Sequence, residues 1–169
     1  MSRDFAVNMA FRNNVTRLLD SRQIDYTPLE YDASQFHSAD EVARLIGVPI
    51  EHVYKTIVVL REDTHAGRKP LLVMVAGDRE IDLRKLAASL GEKKLKIAQH
   101  DQAEALTGLQ VGGISALALL NKPFEVCLDR PSLDLPHIYV SAGQRGLNVK
   151  IGVQDLIKLT KAKIVDATD

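Results

Sequence analysis

The sequence predicts an α+β domain, or an α/β domain with a mixed sheet, because strands and helices are interspersed without strict alternation. Two short apolar runs, Lys55–Leu60 and Leu71–Ala76, have the length and β-branched content of buried strands. Helical spacing with capping residues flanks them, and the last third of the chain returns to strands. No linker, repeat or low-complexity tract interrupts the sequence, so we expect a single domain over residues 1–169.

The first part of the chain predicts two short helices separated by an extended segment, Tyr26 to Tyr31. Ser38-Ala39-Asp40-Glu41 is a capping box, and the helix that it begins should end at Gly47. The earlier helix is indicated by apolar residues at helical spacing: Phe11, Val15, Leu18 and Leu19.

Two more helices should follow the central strands. Asp82 can cap a helix that runs to Leu90 and stops at Gly91. Asp101-Gln102-Ala103-Glu104 repeats the capping-box pattern, with Gly108 closing that helix.

Alternating and apolar residues in the last third indicate further strands, with turn residues between them. The strands are Phe124–Leu128, His137–Ser141, Leu147–Ile151 and Lys163–Val165; the turns are Asp129-Arg130-Pro131 and Gly143-Gln144-Arg145-Gly146; the helix is Gln154–Leu159.

Composition limits the class of protein. With 46% apolar and 26% charged residues, the chain has the balance of an ordinary soluble domain. No apolar run is long enough to span a membrane, and the N-terminus lacks a secretory signal. The lone Cys127 excludes an internal disulfide and fits a reducing compartment, so we expect a cytoplasmic protein without a membrane partner.

The net charge of zero argues against a broad electrostatic grip on nucleic acid. Basic residues nevertheless cluster in the second half, where they could contact a short stretch of RNA backbone. The candidates are Arg84, Lys85 and Lys94, near Lys93 and Lys96, together with Arg145 in the predicted turn.

Two features point to chemistry on an ester beside a phosphate. Lys55 stands at the start of an apolar strand, where an ammonium must reach water or meet an anion. The pair Gly112-Gly113 offers backbone N–H groups that a carbonyl or phosphate can approach closely.

These residues lie in motifs that resemble the YbaK/EbsC family of aminoacyl-tRNA deacylases, relatives of the editing domain of bacterial prolyl-tRNA synthetases. The matching stretches, in the family's order, are Val53-Tyr54-Lys55-Thr56, Ile81 to Ala87, Val111-Gly112-Gly113-Ile114-Ser115 and Ile138 to Leu147. The resemblance implies a curved mixed β-sheet packed by helices around a substrate pocket. It also implies hydrolysis of a mischarged tRNA at its 3′ end, with prolyl-tRNA synthetase as a candidate partner.

The resemblance also implies roles for individual residues. Lys55 would hold the phosphate or the substrate group, and the backbone of Gly112 and Gly113 would position the ester carbonyl. The remaining expected substrate contacts are Tyr31, Phe36, His37, Thr56, Ile114, Ser115, Ser141 and Gly143. Ser141 is interpreted as a positioning hydroxyl, since no nucleophile signature surrounds it.

The chain departs from the family pattern in two places. Ala116 stands where the family commonly has a proline, which predicts a looser glycine loop. Leu29 and Ser38 align with the tyrosine and phenylalanine of cysteine-specific members, so the substrate amino acid, cysteine or alanine, stays open.

Other site types lack their residues. The five histidines show no metal-ligand spacing, and one cysteine cannot build a zinc site, so we expect neither metal nor cofactor. Two alternatives stay open: a non-catalytic module that binds aminoacyl-tRNA or a synthetase, and, less favoured, a hydrolase of unrelated small esters.

Overall fold

The computed structural model describes residues 12–34, 37–62 and 68–169. Within these ranges the helices are α1 (Asn14–Ser21), α2 (Ala39–Ile46), α3 (Leu83–Leu90), α4 (His100–Thr107) and α5 (Val153–Thr160). The strands are β1 (Tyr26–Glu30), β2 (Tyr54–Arg61), β3 (Leu71–Ala76), β4 (Leu95–Ile97), β5 (Glu125–Asp129), β6 (His137–Gln144), β7 (Leu147–Gly152) and β8 (Lys163–Val165). Short 3-10 helices occupy Ile50–His52, Leu117–Leu119 and Arg130–Asp134.

The strands form two sheets. The three-stranded sheet has the order β1-β7-β6 and is antiparallel, whereas the five-stranded sheet has the order β4-β2-β3-β5-β8 and is mixed. A parallel bridge between Val53 and Tyr139 joins them. The predicted α+β class is confirmed, and the expected curved sheet is divided in two at this bridge.

The core explains why β3 is apolar along its whole length. Because side chains alternate across a strand, Leu72 and Met74 face the layer that contains α1, α5 and the three-stranded sheet. Leu71 and Val73 face the opposite layer, where Leu86 of α3 covers the sheet. Each fully buried aliphatic side chain of this kind contributes about 1.5–3 kcal/mol to stability.

Local capping chemistry sets most helix ends where the sequence predicts them. Ser38 Oγ accepts from the Glu41 N–H at 3.3 Å, and α2 ends at Gly47 with φ +75°. Asp82 begins α3 in the same way, by accepting from Lys85 N–H at 3.1 Å. Phe11 of the first predicted helix lies outside the described residues.

The cap predicted at Asp101 is wrong. Helix α4 begins at His100, and the side chain of Gln102 accepts from the Gln99 N–H at 3.2 Å. Asp101 lies inside the first turn, where its carboxylate accepts from the next N–H at 2.9 Å. A glutamine pair performs the capping that the sequence pattern assigns to aspartate and glutamate.

Several features differ from the predictions in extent. Strand β4 has three residues and no clear alternation, and the sequence did not indicate it. The predicted turn at Asp129-Arg130-Pro131 continues as a 3-10 helix to Asp134.

Cys127 is buried as expected, and its burial raises the pKa of the thiol to about 11. No helix in the described part of the chain has both the length and the apolar character needed to cross a membrane.

Candidate active site

A cavity of about 370 Å³ opens where the two sheets meet. Its walls come from the segment before α2, the start of β2, the loop after α4 and the β6–β7 hairpin. It brings together seven of the predicted site residues: Tyr31, His37, Lys55, Thr56, Gly112, Ile114 and Ser141. Other cavities exist, including one of about 580 Å³ beside α1, but among the described residues only this cavity joins Lys55 to the glycine loop.

Lys55 lies near the start of β2, opposite Val75 of β3. Its ammonium contacts the Gly77 carbonyl oxygen and a carboxylate oxygen of Glu80, each at 3.4 Å. The Lys55 side chain is 24% exposed and that of Glu80 is 92% exposed. The ammonium is therefore partly buried against the pocket wall, and an exposed surface carboxylate is its counterion.

Gly77, which the Lys55 ammonium contacts, packs closely against Val53, the residue just before β2. Its N–H donates to the Val53 carbonyl at 2.7 Å. A Cβ at this position would lie 2.9 Å from the Ala39 Cβ, closer than side-chain carbons pack. The glycine thus lets its own carbonyl face the lysine ammonium while α2 packs behind it.

The glycine loop presents a free donor at Gly112. In the described part of the chain no acceptor meets the N–H of Gly112 or of Ile114, and both residues line the cavity. Gly112 has φ +94°, a backbone conformation that favours glycine. Gly113 differs, because its N–H already donates to the Gln110 carbonyl at 2.8 Å. The oxyanion role expected of both glycines is therefore open to Gly112 and closed to the Gly113 N–H in this conformation.

The wall nearest α2 contains Tyr31 and His37, whose rings meet edge to face with centroids 5.9 Å apart. One ring nitrogen of His37 contacts the Asp32 carbonyl oxygen at 2.8 Å, and the other contacts a Glu41 carboxylate oxygen at 3.2 Å. Both partners are acceptors, so the doubly protonated imidazolium satisfies both contacts. The hydrogen bond to Glu41 accordingly raises the pKa of His37 above its ordinary value.

The opposite wall carries a pair of polar residues on neighbouring strands. Ser141 of β6 faces Asn148 of β7 in the antiparallel register, so both side chains lie on the same face. Asn148 is only 5% exposed, and it lines the cavity. The wall therefore offers a hydroxyl and an amide to a ligand.

Three predicted contacts lie outside the cavity lining. Gly113 packs against the backbone of Gln144 and Arg145. Ser115 is 1% exposed, and its hydroxyl accepts from the Ala118 N–H at 3.3 Å, which caps the 3-10 turn. Gly143 faces the other way: a Cβ there would lie 3.1 Å from the Ala118 Cβ. The fourth, Phe36, lies outside the described residues.

The basic residues expected to contact RNA lie outside the cavity lining. Lys85 donates to the Thr168 carbonyl at 2.7 Å, and Lys94 lies 3.7 Å from a Glu62 carboxylate oxygen. Arg84 is exposed on α3. Arg145 donates through Nε to the Val111 carbonyl at 2.7 Å, so its guanidinium is directed to the glycine loop.

Some lining residues were not recognised in the sequence. Asn148 reads as an ordinary residue of a strand, and only the pairing of β6 with β7 places it beside Ser141; aligning the two strands about their turn would have revealed it. Glu80 and His100 also line the cavity, with no sequence motif to mark them. In the described part of the chain, no cluster of His, Cys, Asp and Glu could hold a metal ion.

The comparisons of this chain with known proteins agree on one family. A family model described as an aminoacyl-tRNA editing domain matches residues 33–159. A candidate Cys-tRNA(Pro)/Cys-tRNA(Cys) deacylase, EbsC of Enterococcus faecalis, is 29% identical over 158 residues, which covers 93% of each chain. The prolyl-tRNA editing protein ProX of Acetoanaerobium sticklandii is 26% identical and covers 92% of this chain and 94% of its own.

A solved structure supports the fold. The crystal structure of a candidate trans-editing enzyme for prolyl-tRNA synthetase superposes with a TM-score of 0.73 over 94% of this chain and 99% of its own. Its sequence identity is 22%, so this likeness concerns the fold.

Proposed function

The chain belongs to the aminoacyl-tRNA editing domain family, and from this premise we propose that it is a trans-editing hydrolase that deacylates mischarged proline tRNA, carrying cysteine or alanine. The deacylase class follows from the family and from relatives named as deacylases and editing proteins. The proposal extends to the whole chain, residues 1–169, as one editing domain that acts in the cytoplasm, where charged tRNAs are used.

The observation that carries the proposal is that one cavity holds a cationic group and a backbone donor that meets no acceptor among the described residues. Lys55 supplies the cation, and the Gly112 N–H supplies the donor. An aminoacyl ester at a tRNA 3′ end has its carbonyl close to a ribose and to phosphates. The two groups of the pocket match those two chemical features of the substrate.

In the proposed reaction, Lys55 releases Glu80 and binds a phosphate or polar group of the terminal nucleotide. The Gly112 N–H then donates to the ester carbonyl oxygen as negative charge develops on it. One such donor lowers the barrier by about 3–4 kcal/mol in esterolytic enzymes. Water adds to the carbonyl carbon and the ester C–O bond breaks, which gives the free amino acid and a tRNA with a 3′-terminal ribose hydroxyl.

An ester is an activated bond, so orientation and carbonyl polarisation can supply much of the acceleration. The pocket supplies for this purpose an ammonium, a backbone N–H and the neutral side chains of Ser141 and Asn148, and its lining also includes His37, Glu80 and His100. For a cysteinyl substrate, the attacking group in the proposal is either water or the substrate's own thiol. The proposed chemistry makes no use of a metal ion.

Selection among amino acids depends on the wall formed by Tyr31, His37, Ser141 and Asn148. One methylene in a pocket discriminates by only about 1–3 kcal/mol, so alanine and cysteine should be separated incompletely. The identity of the tRNA must then be read elsewhere, and prolyl-tRNA synthetase is the partner that we propose for this purpose.

The test is a deacylation panel with cysteinyl-, alanyl- and seryl-tRNA(Pro), comparing the wild-type protein with Lys55→Ala. Lys122→Ala is the matched control, because Lys122 is exposed and lies outside the cavity lining. We expect the wild type and the control to release one or two of the amino acids, and Lys55→Ala to be at least about 10-fold slower.

Two results would contradict the proposal. Full activity of Lys55→Ala on every substrate would remove Lys55 from the site. Retained tRNA binding without release of any amino acid would instead favour a non-catalytic binding module.

A further inference from the structure

We infer that Arg145 is a positioning residue: its guanidinium holds the Val111–Gly112 peptide so that the Gly112 N–H faces the cavity. The inference rests on the proposed deacylase function and deepens it, since it explains how the carbonyl donor is oriented. It also gives Arg145 a task within the protein, in place of the RNA contact that the sequence suggested.

The backbone of Val111 is held on both sides by charged side chains. Arg145 Nε–H donates to the Val111 carbonyl at 2.7 Å, and the Val111 N–H donates to a carboxylate oxygen of Glu104 at 2.9 Å. Glu104 belongs to α4, whereas Arg145 lies in the turn between β6 and β7. Hydrogen bonds with one ionised partner are short and strong, so two separate elements clamp this one residue.

Peptide geometry transmits the clamp to Gly112. The Val111 carbonyl and the Gly112 N–H belong to one planar unit, which is trans here, so they point in opposite directions. Arg145 lies outside the cavity lining and Gly112 belongs to it. A carbonyl drawn towards Arg145 therefore turns the N–H of the same peptide to the cavity. The cation also polarises that peptide, which makes the N–H a stronger donor.

Contacts on both sides of the β6–β7 turn fix the position of the Arg145 backbone. A Cβ on Gly113 would lie 2.9 Å from the Arg145 backbone nitrogen, so the glycine loop and the hairpin turn are in direct backbone contact. The next residue of the turn, Gly146, accepts from the Tyr31 N–H at 2.9 Å. The turn is thus held by the loop on one side and by the pocket wall on the other.

The clamp also accounts for the missing proline. Ala116 has φ −62°, the value that a proline ring would impose. The loop reaches this conformation without the ring, and the contacts of Glu104 and Arg145 with Val111 supply a constraint five residues earlier in the loop.

The first test reads the orientation of Gly112 directly, without any substrate. We would record the backbone amide resonances of the wild type, Arg145→Met and Arg145→Lys, with Arg17→Met as the control. Arg17 is an exposed arginine of α1 whose guanidinium, among the described residues, contacts a side-chain amide oxygen of Asn14 at 3.1 Å. We expect the Gly112 amide to shift and to exchange faster in Arg145→Met, with partial return in Arg145→Lys. An unchanged Gly112 amide in Arg145→Met would overturn the inference.

The second test is steady-state deacylation with the same variants. Because a misplaced catalytic donor costs rate more than binding, we expect kcat of Arg145→Met to fall by about 10-fold or more and KM to stay within about twofold. Arg145→Lys should recover part of kcat, and Arg17→Met should match the wild type. A raised KM with kcat retained, and a salt dependence weakened by about one phosphate contact, would instead identify an RNA contact and refute the positioning role.

The two tests separate this inference from the proposed function. A wild-type protein that releases no amino acid would defeat the function, while the amide resonances would still decide the role of Arg145. If Arg145→Met does not fold, Arg145→Gln carries both measurements, since its shorter neutral side chain also removes the charged contact.

Discussion

Replacing Gly113 with alanine should damage both stability and catalysis, because the glycine loop touches the hairpin turn at this position. The added Cβ would lie 2.9 Å from the Arg145 nitrogen and 3.0 Å from the Cα and carbonyl carbon of Gln144, whereas ordinary contacts begin at 3.4 Å. All three atoms are backbone, so no side chain can rotate away. The backbone of Gly113 is not in the positive-φ region, and the cost is therefore steric.

Overpacking of this kind costs about 1–3 kcal/mol in the free energy of unfolding. For a domain of this size, that corresponds to a fall in Tm of about 2–12 °C. Separation of the loop from the turn also lengthens the contact between Arg145 and Val111, so kcat for deacylation should fall with stability. Thermal unfolding and deacylation kinetics on the same preparation measure the two effects.

Gly91→Ala is the matched control. Gly91 ends α3 with φ +69°, and no atom lies within 4 Å of an added Cβ. Its substitution should cost about 1 kcal/mol through the left-handed backbone alone, with kcat unchanged. The reasoning fails if Gly113→Ala unfolds within about 0.5 kcal/mol of the wild type, or if it retains the wild-type kcat.

Three further predictions concern charged residues. The raised pKa of His37 means that the imidazole binds a proton more readily in the folded than in the unfolded protein, so the protonated ring stabilises the fold at low pH and this stabilisation is lost as pH rises through that pKa. The difference between the urea midpoints of the wild type and His37→Gln should therefore shrink from pH 5.5 to 8.5. A difference independent of pH would refute this. Arg61→Met removes a buried guanidinium that pairs with the carboxylates of Glu92 and Glu125. Because Arg68 still contacts Glu92, urea unfolding should show a loss of about 1–3 kcal/mol, and a loss below about 0.5 kcal/mol would contradict the prediction. Glu80→Gln removes the exposed counterion of Lys55, an ion pair that contributes about 0.2–1 kcal/mol to stability. Because Lys55 is then available to the substrate, KM for aminoacyl-tRNA should fall by up to a few-fold at low salt. An increase in KM would show that Glu80 assists binding.

Features that depend on local chemistry could be predicted from the sequence. Ser38 and Asp82 cap helices because their side chains reach backbone N–H groups three residues away. The strand with Lys55 at its start could be recognised because its apolar run is continuous. The glycine loop could also be recognised, because Gly112 and Gly113 are adjacent in the sequence.

Features that depend on distant contacts could not be predicted in this way. Gly113 was expected to donate to substrate, but its role is set by the approach of a turn some thirty residues later. Asn148 becomes a pocket residue only through the register of β6 and β7. Arg145 was expected to contact RNA phosphate from a predicted hairpin turn, and its contact with Val111 depends on how that turn packs against the glycine loop. Each of these requires tertiary geometry that residue type and spacing do not encode.

The irregularity of β6 links the pocket wall to the clamp on the glycine loop. Its pairing with β7 is regular up to Ser141 and shifts by two residues before Gln144, which pairs with Leu147. Without the shift, strict alternation would place Gly143 on the same face as Ser141. With it, Ser141 faces the pocket, Gly143 turns towards α1 with φ +95°, and the turn delivers Arg145 to the glycine loop. The two extra residues of β6 thus allow the same hairpin to supply a hydroxyl that faces the pocket and the cation that contacts the glycine loop, so both should be lost together if the irregularity is removed.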